Sequence, residues 1–154
     1  MKIIYHCYGG THSSVVAAAL HLGRLDPNRL PSGRELQSLP YFDRRPRGME
    51  GWILFLGRDE YRNEIYVVGK RSMGETFDNL IVDLIRALDL PREEVLLLDT
   101  APLVNWPLAV GGFLSRRMGI TSIGRPLVIW GLRRIFARLA AFVRENRPLW
   151  QADR

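Results

Sequence analysis

The stretch "IIYHCYGGTHSS" (residues 3–14) leads directly into "VVAAALHLG" (residues 15–23), and this junction decides the fold. Its apolar beginning predicts a short buried β-strand that ends near Cys7. The second stretch is apolar on nearly every side and stops at Gly23, which is typical of a buried helix with a glycine just past its C-terminus. A buried strand that runs directly into a buried helix favours an α/β fold.

The rest of the chain continues this alternation. Two β-rich runs, "WILFLG" (52–57) and "EIYVVG" (64–69), are separated by six polar or turn-forming residues, which predicts a hairpin. "VLLLD" (95–99) predicts another strand, and "GLRRIFARLAAFVREN" (131–146) predicts an amphipathic helix. A further helix is predicted by apolar residues that share one helix face: Phe77, Leu80, Ile81, Leu84, Ile85 and Leu88.

These elements predict one α/β domain over residues 1–154. It is expected to be a layered sandwich with a mostly parallel, mixed sheet that includes one hairpin, and with helices on both faces. Residues 24–50, rich in proline, arginine and glycine, are interpreted as a long loop or lid with one helical turn. "PLVIW" (126–130) fits either a last strand or the first turn of the final helix. In "NWPLAVGGFLSRRMG" (105–119), the paired glycines indicate either close backbone packing or a break in a helix.

Composition narrows the class of protein. Cys7 is the only cysteine, so an intramolecular disulfide is impossible and the disulfide-rich secreted scaffolds are excluded. The apolar run near the N-terminus is too short for a signal peptide. The longest weakly polar stretch, residues 101–114, falls short of a membrane-spanning helix. We therefore expect a soluble cytoplasmic protein with no transmembrane segment.

The net charge of +6 is unevenly distributed. Residues 100–154 contain nine arginines, with Glu145 and Asp153 as their only acidic residues. This asymmetry fits either a solvated basic face or a docking surface for nucleic acid, anionic lipid or an acidic partner. On the second interpretation the protein is a non-enzymatic adaptor, and the aromatic residues among the arginines take part: Trp106, Trp130, Phe136 and Trp150.

The turn after the first strand has the composition of an anion site. In open α/β sheets ligands bind beyond the carboxyl ends of the strands, where a helix N-terminus offers free amide groups. The sequence therefore predicts a site for a phosphorylated small molecule or nucleotide, whose candidate ligand-binding residues are Gly9, Gly10, Thr11, His12, Ser13 and Ser14. The alternative is that Ser13 or Ser14 caps the helix and the glycines only form the turn.

Cys7 is the candidate nucleophile. A cysteine at a helix N-terminus near His6 or His12 is suited to covalent catalysis. The alternatives are a buried structural cysteine, a redox sensor, or a zinc ligand together with the two histidines. The zinc site is disfavoured because adjacent strand residues point to opposite faces and no metal-binding spacing is present. The sequence leaves the cofactor unknown.

Asp99, at the end of "VLLLD", is the second candidate catalytic residue. The end of a parallel strand brings it to the same sheet edge as Cys7, where it would serve as a general acid or hold Mg²⁺ beside a phosphate. The alternative is an Asx-turn that only shapes the chain. A third loop, "GKRSMGET" (69–76), has the glycine spacing of a P-loop but carries Glu75 where that loop requires lysine. Lys70 and Arg71 remain candidates for phosphate contacts, and the alternative is a surface loop that only precedes a helix.

The stretch "IIYHCYGGTHSSVVAAAL" (3–20) resembles the phosphate loop of cysteine-dependent phosphotyrosine phosphatases, especially the low-molecular-weight group. The resemblance puts Cys7 in the place of the nucleophile, Gly10 in the loop and Ser14 in the place of the final hydroxyl. Ser13 stands where that family has its phosphate-binding arginine. The implied hydrolase or phosphoryl-transfer activity therefore needs an arginine from elsewhere in the chain, such as Arg71 or Arg125.

Over nearly its whole length the chain also resembles a bacterial family, found in endospore-forming lineages, that is described as a domain of unknown function. The shared stretches are "YHCYGGTHSS", "LLLDTAPLVN", "GGFLSRR" and "GRPLVIWG". This resemblance implies no particular activity, cofactor or partner. The leading hypothesis from sequence is therefore phosphate binding in the first turn, with or without catalysis.

Overall fold

The computed structural model of the protein describes residues 1–44 and 51–151. A four-stranded sheet has the order β2-β3-β1-β4, in which β1 is parallel to both β3 and β4, and β2 is antiparallel to β3. The mixed sheet with one hairpin is thus confirmed. The strands are β1 (Lys2–Cys7), β2 (Leu54–Arg58), β3 (Glu64–Gly69) and β4 (Val95–Asp99).

Helices cover both faces of the sheet, as predicted. Because strand side chains alternate, Ile3 and Tyr5 pack in the main core, whereas Ile4 packs with Val68 and Phe77 on the other face. The main core is formed with α1 and α5, and the second face is covered by α3. The helices are α1 (Ser13–His21), α2 (Gly33–Ser38), α3 (Glu75–Ala87), α4 (Trp106–Gly112), α5 (Thr121–Asn146) and α6 (Pro148–Gln151).

The final helix is much longer than its amphipathic pattern predicted. Residues 126–130 lie inside α5, so they are neither a strand nor the first turn of the helix. Close packing against α4 explains why the helix extends through Pro126. A Cβ atom added to Gly111 would lie 2.6 Å from the backbone nitrogen of Val128, and one added to Gly124 would lie 2.7 Å from the carbonyl oxygen of Gly111. The helices touch backbone to backbone, and this contact outweighs the hydrogen bond that proline removes.

Asn105 begins α4 as predicted, since its side chain accepts a hydrogen bond from the amide of Leu108 at 3.1 Å. The α-helix ends at Gly112 and a wide π-type turn (Phe113–Arg117) follows. Both interpretations of the paired glycines therefore hold, because Gly111 makes the close contact and the regular helix stops one residue later.

The predicted loop 24–50 contains the expected helical turn, α2, which begins with a capping box between Ser32 and Glu35. Phe42, after this helix, is buried in the main core. Residues 45–50 lie outside the described residues, so the interpretation of the whole segment as a lid stays a prediction. Within residues 1–44 and 51–151, we find no helix with the length and apolar character needed to cross a membrane.

The helix α3 differs from its prediction in one respect. Phe77 and Ile85 are buried, but Leu80, Leu84 and Leu88 are each about half exposed. The apolar face of this helix is therefore wider than the sheet surface that it covers.

Candidate functional site

The predicted turn between β1 and α1, residues 7–14, is called here the Cys7 loop. It lies at the carboxyl edge of the three parallel strands, since Cys7 is paired with Gly69 of β3 and His6 with Asp99 of β4. A Cβ atom at Gly69 would lie 2.7 Å from the carbonyl oxygen of Gly9, so only glycine permits this close approach. The chain after β3 then runs beside the loop and brings Lys70 and the following arginine to it.

The thiol of Cys7 is buried at the centre of the loop. The amide of Gly10 donates a hydrogen bond to the sulfur at 3.2 Å, and the hydroxyl of Ser14 lies 3.2 Å from the same sulfur. Gly10 has a φ of 68°, in the left-handed region that lets the loop turn back towards the sulfur. The loop therefore wraps around Cys7.

The N-terminus of α1 is buried and has no side-chain cap. His12 occupies the N-cap position without a capping hydrogen bond. The Ser13 hydroxyl lies 3.0 Å from Thr100 Oγ1. Thr100 donates its own hydrogen to the carbonyl of His6, so Ser13 must donate to Thr100. The serine-cap alternative is thus wrong: Ser14 faces the Cys7 sulfur and Ser13 ties the helix to the end of β4.

Thr11 carries a buried polar atom with no hydrogen-bond partner. Thr11 is 1% exposed, and its hydroxyl oxygen forms no hydrogen bond with any described residue. A Cβ atom on Gly9 would lie 3.5 Å from that oxygen, so the hydroxyl faces the glycine part of the loop. Leaving a buried hydroxyl unpaired is unfavourable, by about 1–3 kcal/mol. A ligand with an acceptor oxygen would satisfy it.

Asp99 lies at the same edge as Cys7 but towards the other face of the sheet. Its carboxylate accepts hydrogen bonds from Lys70 Nζ at 2.6 Å and from the amide of Ala101 at 2.9 Å. The bond to the amide two residues on is the predicted Asx-turn. Asp99 Oδ1 also lies 3.4 Å from His6 Nδ1, on the face that α3 covers, whereas Cys7 contacts α1. Sequence reasoning correctly predicted the shared edge but not the opposite faces.

His6 is buried between two carboxylates. Its Nε2 lies 3.1 Å from Asp78 Oδ1, and its ring packs against Phe77. Neither ring nitrogen has the geometry of a hydrogen bond with any described residue, despite these short distances. Burial lowers the pKa of His6, and the nearby charges of Asp78 and Asp99 only partly oppose this effect. His6 is thus a second incompletely paired group beside the loop.

On the opposite side of the loop, Asp43 gathers a network that sequence reasoning missed. Its carboxylate accepts hydrogen bonds from His12 Nε2 at 3.0 Å, from Ser115 Oγ at 2.8 and 2.6 Å, and from Arg125 Nε at 2.9 Å. Its own amide donates to the carbonyl of Thr11. These residues are called here the Asp43 network: Asp43, His12, Ser115 and Arg125. Its only signal in the sequence is a charged residue directly after the apolar pair Tyr41–Phe42 in a polar segment.

The hydrogen bonds of the Asp43 network favour the ionised form of the Asp43 carboxylate. Burial alone would raise the pKa of Asp43, but the hydrogen bonds from His12, Ser115 and Arg125 outweigh it and lower that pKa to about 2. The side chain of Arg125 is therefore held by Asp43.

Arg71, the other arginine suggested for the phosphate, borders the loop at Tyr8. Its amide donates to the carbonyl of Tyr8, and its guanidinium lies 6.0 Å from the Tyr8 ring centroid.

The two histidines near Cys7 point to different clusters. His6 faces Asp78 and Asp99, whereas His12 belongs to the Asp43 network. In the part of the chain that the structure describes, no three histidine, cysteine, aspartate or glutamate side chains converge as metal ligands. The geometry thus gives no support to a zinc site made of both histidines and Cys7.

The aromatic residues of the basic C-terminal half divide into two pairs. Trp106 and Trp130 are exposed, but Phe136 and Trp150 are buried in the main core. The interpretation that all four belong to a docking surface was therefore wrong for Phe136 and Trp150, which the helices α5 and α6 need for packing.

Comparison with known proteins gives a family without a described activity. No curated protein and no solved structure matches the chain. Residues 2–148 match the model of the family described as "Protein of unknown function (DUF3189)". The chain belongs to this family, as its resemblance to a domain of unknown function predicted.

Proposed function

We propose that the Cys7 loop binds the phosphate group of a phosphorylated small molecule or nucleotide. The observation that carries the proposal is the buried N-terminus of α1, which lacks a side-chain cap. Its first-turn amide groups and the positive end of its dipole favour an anion at this position. The unpaired hydroxyl of Thr11 supplies a further donor beside them.

Positive charge for the phosphate comes from the residues after β3. Arg71 is exposed beside Tyr8, with its guanidinium free to move towards the loop in this proposal. It takes the part of the arginine that Ser13 replaces in the phosphatase-like pattern. Lys70 is more constrained, because its ammonium group is paired with Asp99. Arg71 is therefore the cation that we assign to the ligand.

Catalysis is the more demanding version of the same proposal. The Cys7 sulfur would attack phosphorus, forming an S–P bond as the P–O bond to the leaving group breaks, and Asp99 would give its proton to the departing oxygen. Water would then release phosphate from the sulfur. Asp99 must first leave its ion pair with Lys70, reach across from the α3 face of the sheet to the Cys7 side, and acquire a proton. Binding alone needs neither step, so the geometry supports binding better than turnover.

A thermal-shift panel tests the binding proposal. Inorganic phosphate, sulfate, nucleotides and sugar phosphates are titrated, and a true ligand should raise Tm with the logarithm of its concentration. Ser14→Ala and Arg71→Ala should weaken the shift. Their matched controls, Ser38→Ala and Arg86→Ala, remove the same groups at exposed positions away from the loop and should leave it unchanged. Absence of a shift with every anion, or equal shifts in all four variants, would contradict the proposal.

Cys7→Ser separates binding from chemistry. If a phosphate ester in the panel is hydrolysed, this variant should lose phosphate release while keeping the thermal shift, because the serine hydroxyl is the poorer nucleophile. Phosphate release is measured colorimetrically. Full activity of Cys7→Ser would exclude the covalent mechanism and leave the binding function intact.

A further inference from the structure

The helical pair α4–α5 presents a continuous row of exposed apolar side chains. Its bulky members are all more than one-third exposed, up to 68% for Trp106. They are called here the α4–α5 strip: Trp106, Val110, Phe113, Ile120, Ile123 and Trp130.

The strip is continuous because the two helices run side by side. At one end the rings of Trp106 and Trp130 meet edge to face, with centroids 6.0 Å apart. In the middle, a Cβ atom on Gly111 would lie 2.8 Å from Leu127 Cβ. At the other end the wide turn closes through a hydrogen bond from the amide of Ile120 to the carbonyl of Leu114. The spacing of the exposed residues on each helix corresponds to a single face.

The segment that carries the strip has charge of one sign in its own sequence. No aspartate or glutamate occurs from Thr100 to Arg144, a segment that contains seven arginines. One of them, Arg134, lies over the ring of Trp130 at 5.1 Å. Four exposed arginines border the strip or continue the same helices: Arg116, Arg117, Arg133 and Arg134.

We propose that the α4–α5 strip docks on an anionic lipid bilayer, with the helical pair lying along the surface. The tryptophan rings would sit at headgroup level, the aliphatic side chains would enter the acyl boundary, and the arginines would contact lipid phosphates. Exposed valine and isoleucine side chains favour this occupant over nucleic acid, because they offer no stacking surface to a base. The basic charge of the segment also matches a uniformly anionic layer.

The chain contains its own control surface. Exposed leucines of α3 and of the residue that ends it form a second apolar strip: Leu80, Leu84 and Leu88. Residues 75–94 around it contain six acidic residues and only two arginines. An anionic membrane would repel that surface, so apolar exposure and charge can be tested separately on one molecule.

The test is sedimentation of the full chain with sucrose-loaded vesicles of phosphatidylcholine alone or with phosphatidylserine. We expect binding on the order of tenfold stronger to the anionic vesicles, weakening as salt is added. Phe113→Ser/Ile123→Ser should reduce that binding on the order of tenfold. Leu80→Ser/Leu84→Ser, equally exposed changes on α3, should leave it unchanged.

Tryptophan fluorescence provides an independent readout. Vesicles should shift the emission to the blue in the wild type, and Trp106→Phe/Trp130→Phe should lose the shift. The proposal would be overturned by equal binding to both vesicle types, by a lack of binding at low salt, or by equal losses of binding in Phe113→Ser/Ile123→Ser and Leu80→Ser/Leu84→Ser. It would also be overturned if the protein sedimented without vesicles and Leu80→Ser/Leu84→Ser abolished that sedimentation. That result would mean that the strip associates with α3 of a second copy.

Discussion

The Asp43 network and the Cys7 loop are neighbouring buried polar regions with opposite degrees of pairing. In the network, the carboxylate of Asp43 is fully surrounded by donors from three other segments. In the loop, α1 has no side-chain cap, and the hydroxyl of Thr11 has no partner among the described residues. A saturated cluster fixes the chain, whereas an unsaturated one leaves donors for a ligand. Both regions are rich in reactive residues, so their residue types do not tell them apart. The degree of hydrogen-bond pairing does, and it indicates a structural role for the Asp43 network and a candidate site in the Cys7 loop.

Removing the centre of the saturated cluster should have the largest effect. Asp43→Ala leaves His12, Ser115 and Arg125 without their common acceptor, and we expect the free energy of unfolding to fall by about 3–5 kcal/mol. Urea denaturation measures it, and Asp43→Asn, which keeps one acceptor oxygen, serves if the alanine variant does not fold. The exposed pair between Asp83 and Arg86 is the control, since Asp83→Ala should cost about 0.5 kcal/mol or less. A loss below 1 kcal/mol for Asp43→Ala would remove the scaffold role.

The pH dependence of stability sharpens the same comparison. The folded-state pKa of Asp43 is about 2, below its ordinary value of 3.8. A lowered pKa stabilises the fold above the unfolded value, and this contribution disappears as the pH falls from about 4 to about 2. The expected loss is about 2 kcal/mol.

Because the pKa values of Asp59 and Glu64 are also lowered, wild type must be compared with Asp43→Asn. Unfolding free energies measured between pH 5 and pH 2 should fall more steeply in the wild type. Parallel curves for the two proteins would show that Asp43 does not titrate with folding.

Two buried threonines give the smallest expected changes in stability, and comparing them distinguishes the two regions most directly. Thr100→Val removes a hydroxyl that joins Ser13 to the carbonyl of His6, and should cost about 1 kcal/mol or more. Thr11→Val removes an unpaired hydroxyl, so stability should be unchanged or rise by up to about 1 kcal/mol. Only Thr11→Val should weaken the phosphate-induced thermal shift without lowering the starting Tm. If both variants lose the same stability, the distinction between the two regions fails.

The elements that sequence predicted well are those determined by local pattern. Three such elements are the apolar run of β1, the hairpin of β2 and β3, and the cap at Asn105, each of which is visible in neighbouring residues. The helical nature of 126–130 was missed because it depends on a contact between Gly111 and Gly124, residues of different helices. Local preference at Pro126 indicated a boundary, and tertiary packing overrode it.

In the candidate site, too, local features were predicted from the sequence and features that depend on distant contacts were not. Cys7, Gly10 and Ser14 come together within one turn, so a short motif was enough to predict their proximity. The partners of Asp43 come from three segments, and no spacing in the chain announces them. Which face of the sheet receives Asp99 likewise depends on strand register, which a single sequence does not reveal.

The position of β1 in the sheet has a consequence for how the protein folds. This strand is made first, yet both of its neighbours, β3 and β4, are synthesised later, and β4 ends only at Asp99. Pairings between such distant parts of a chain slow folding, because long loops must close before those pairings form. On the ribosome, β1 must wait for β3 and β4, and until they emerge the Cys7 thiol has only its own loop and α1 to cover it.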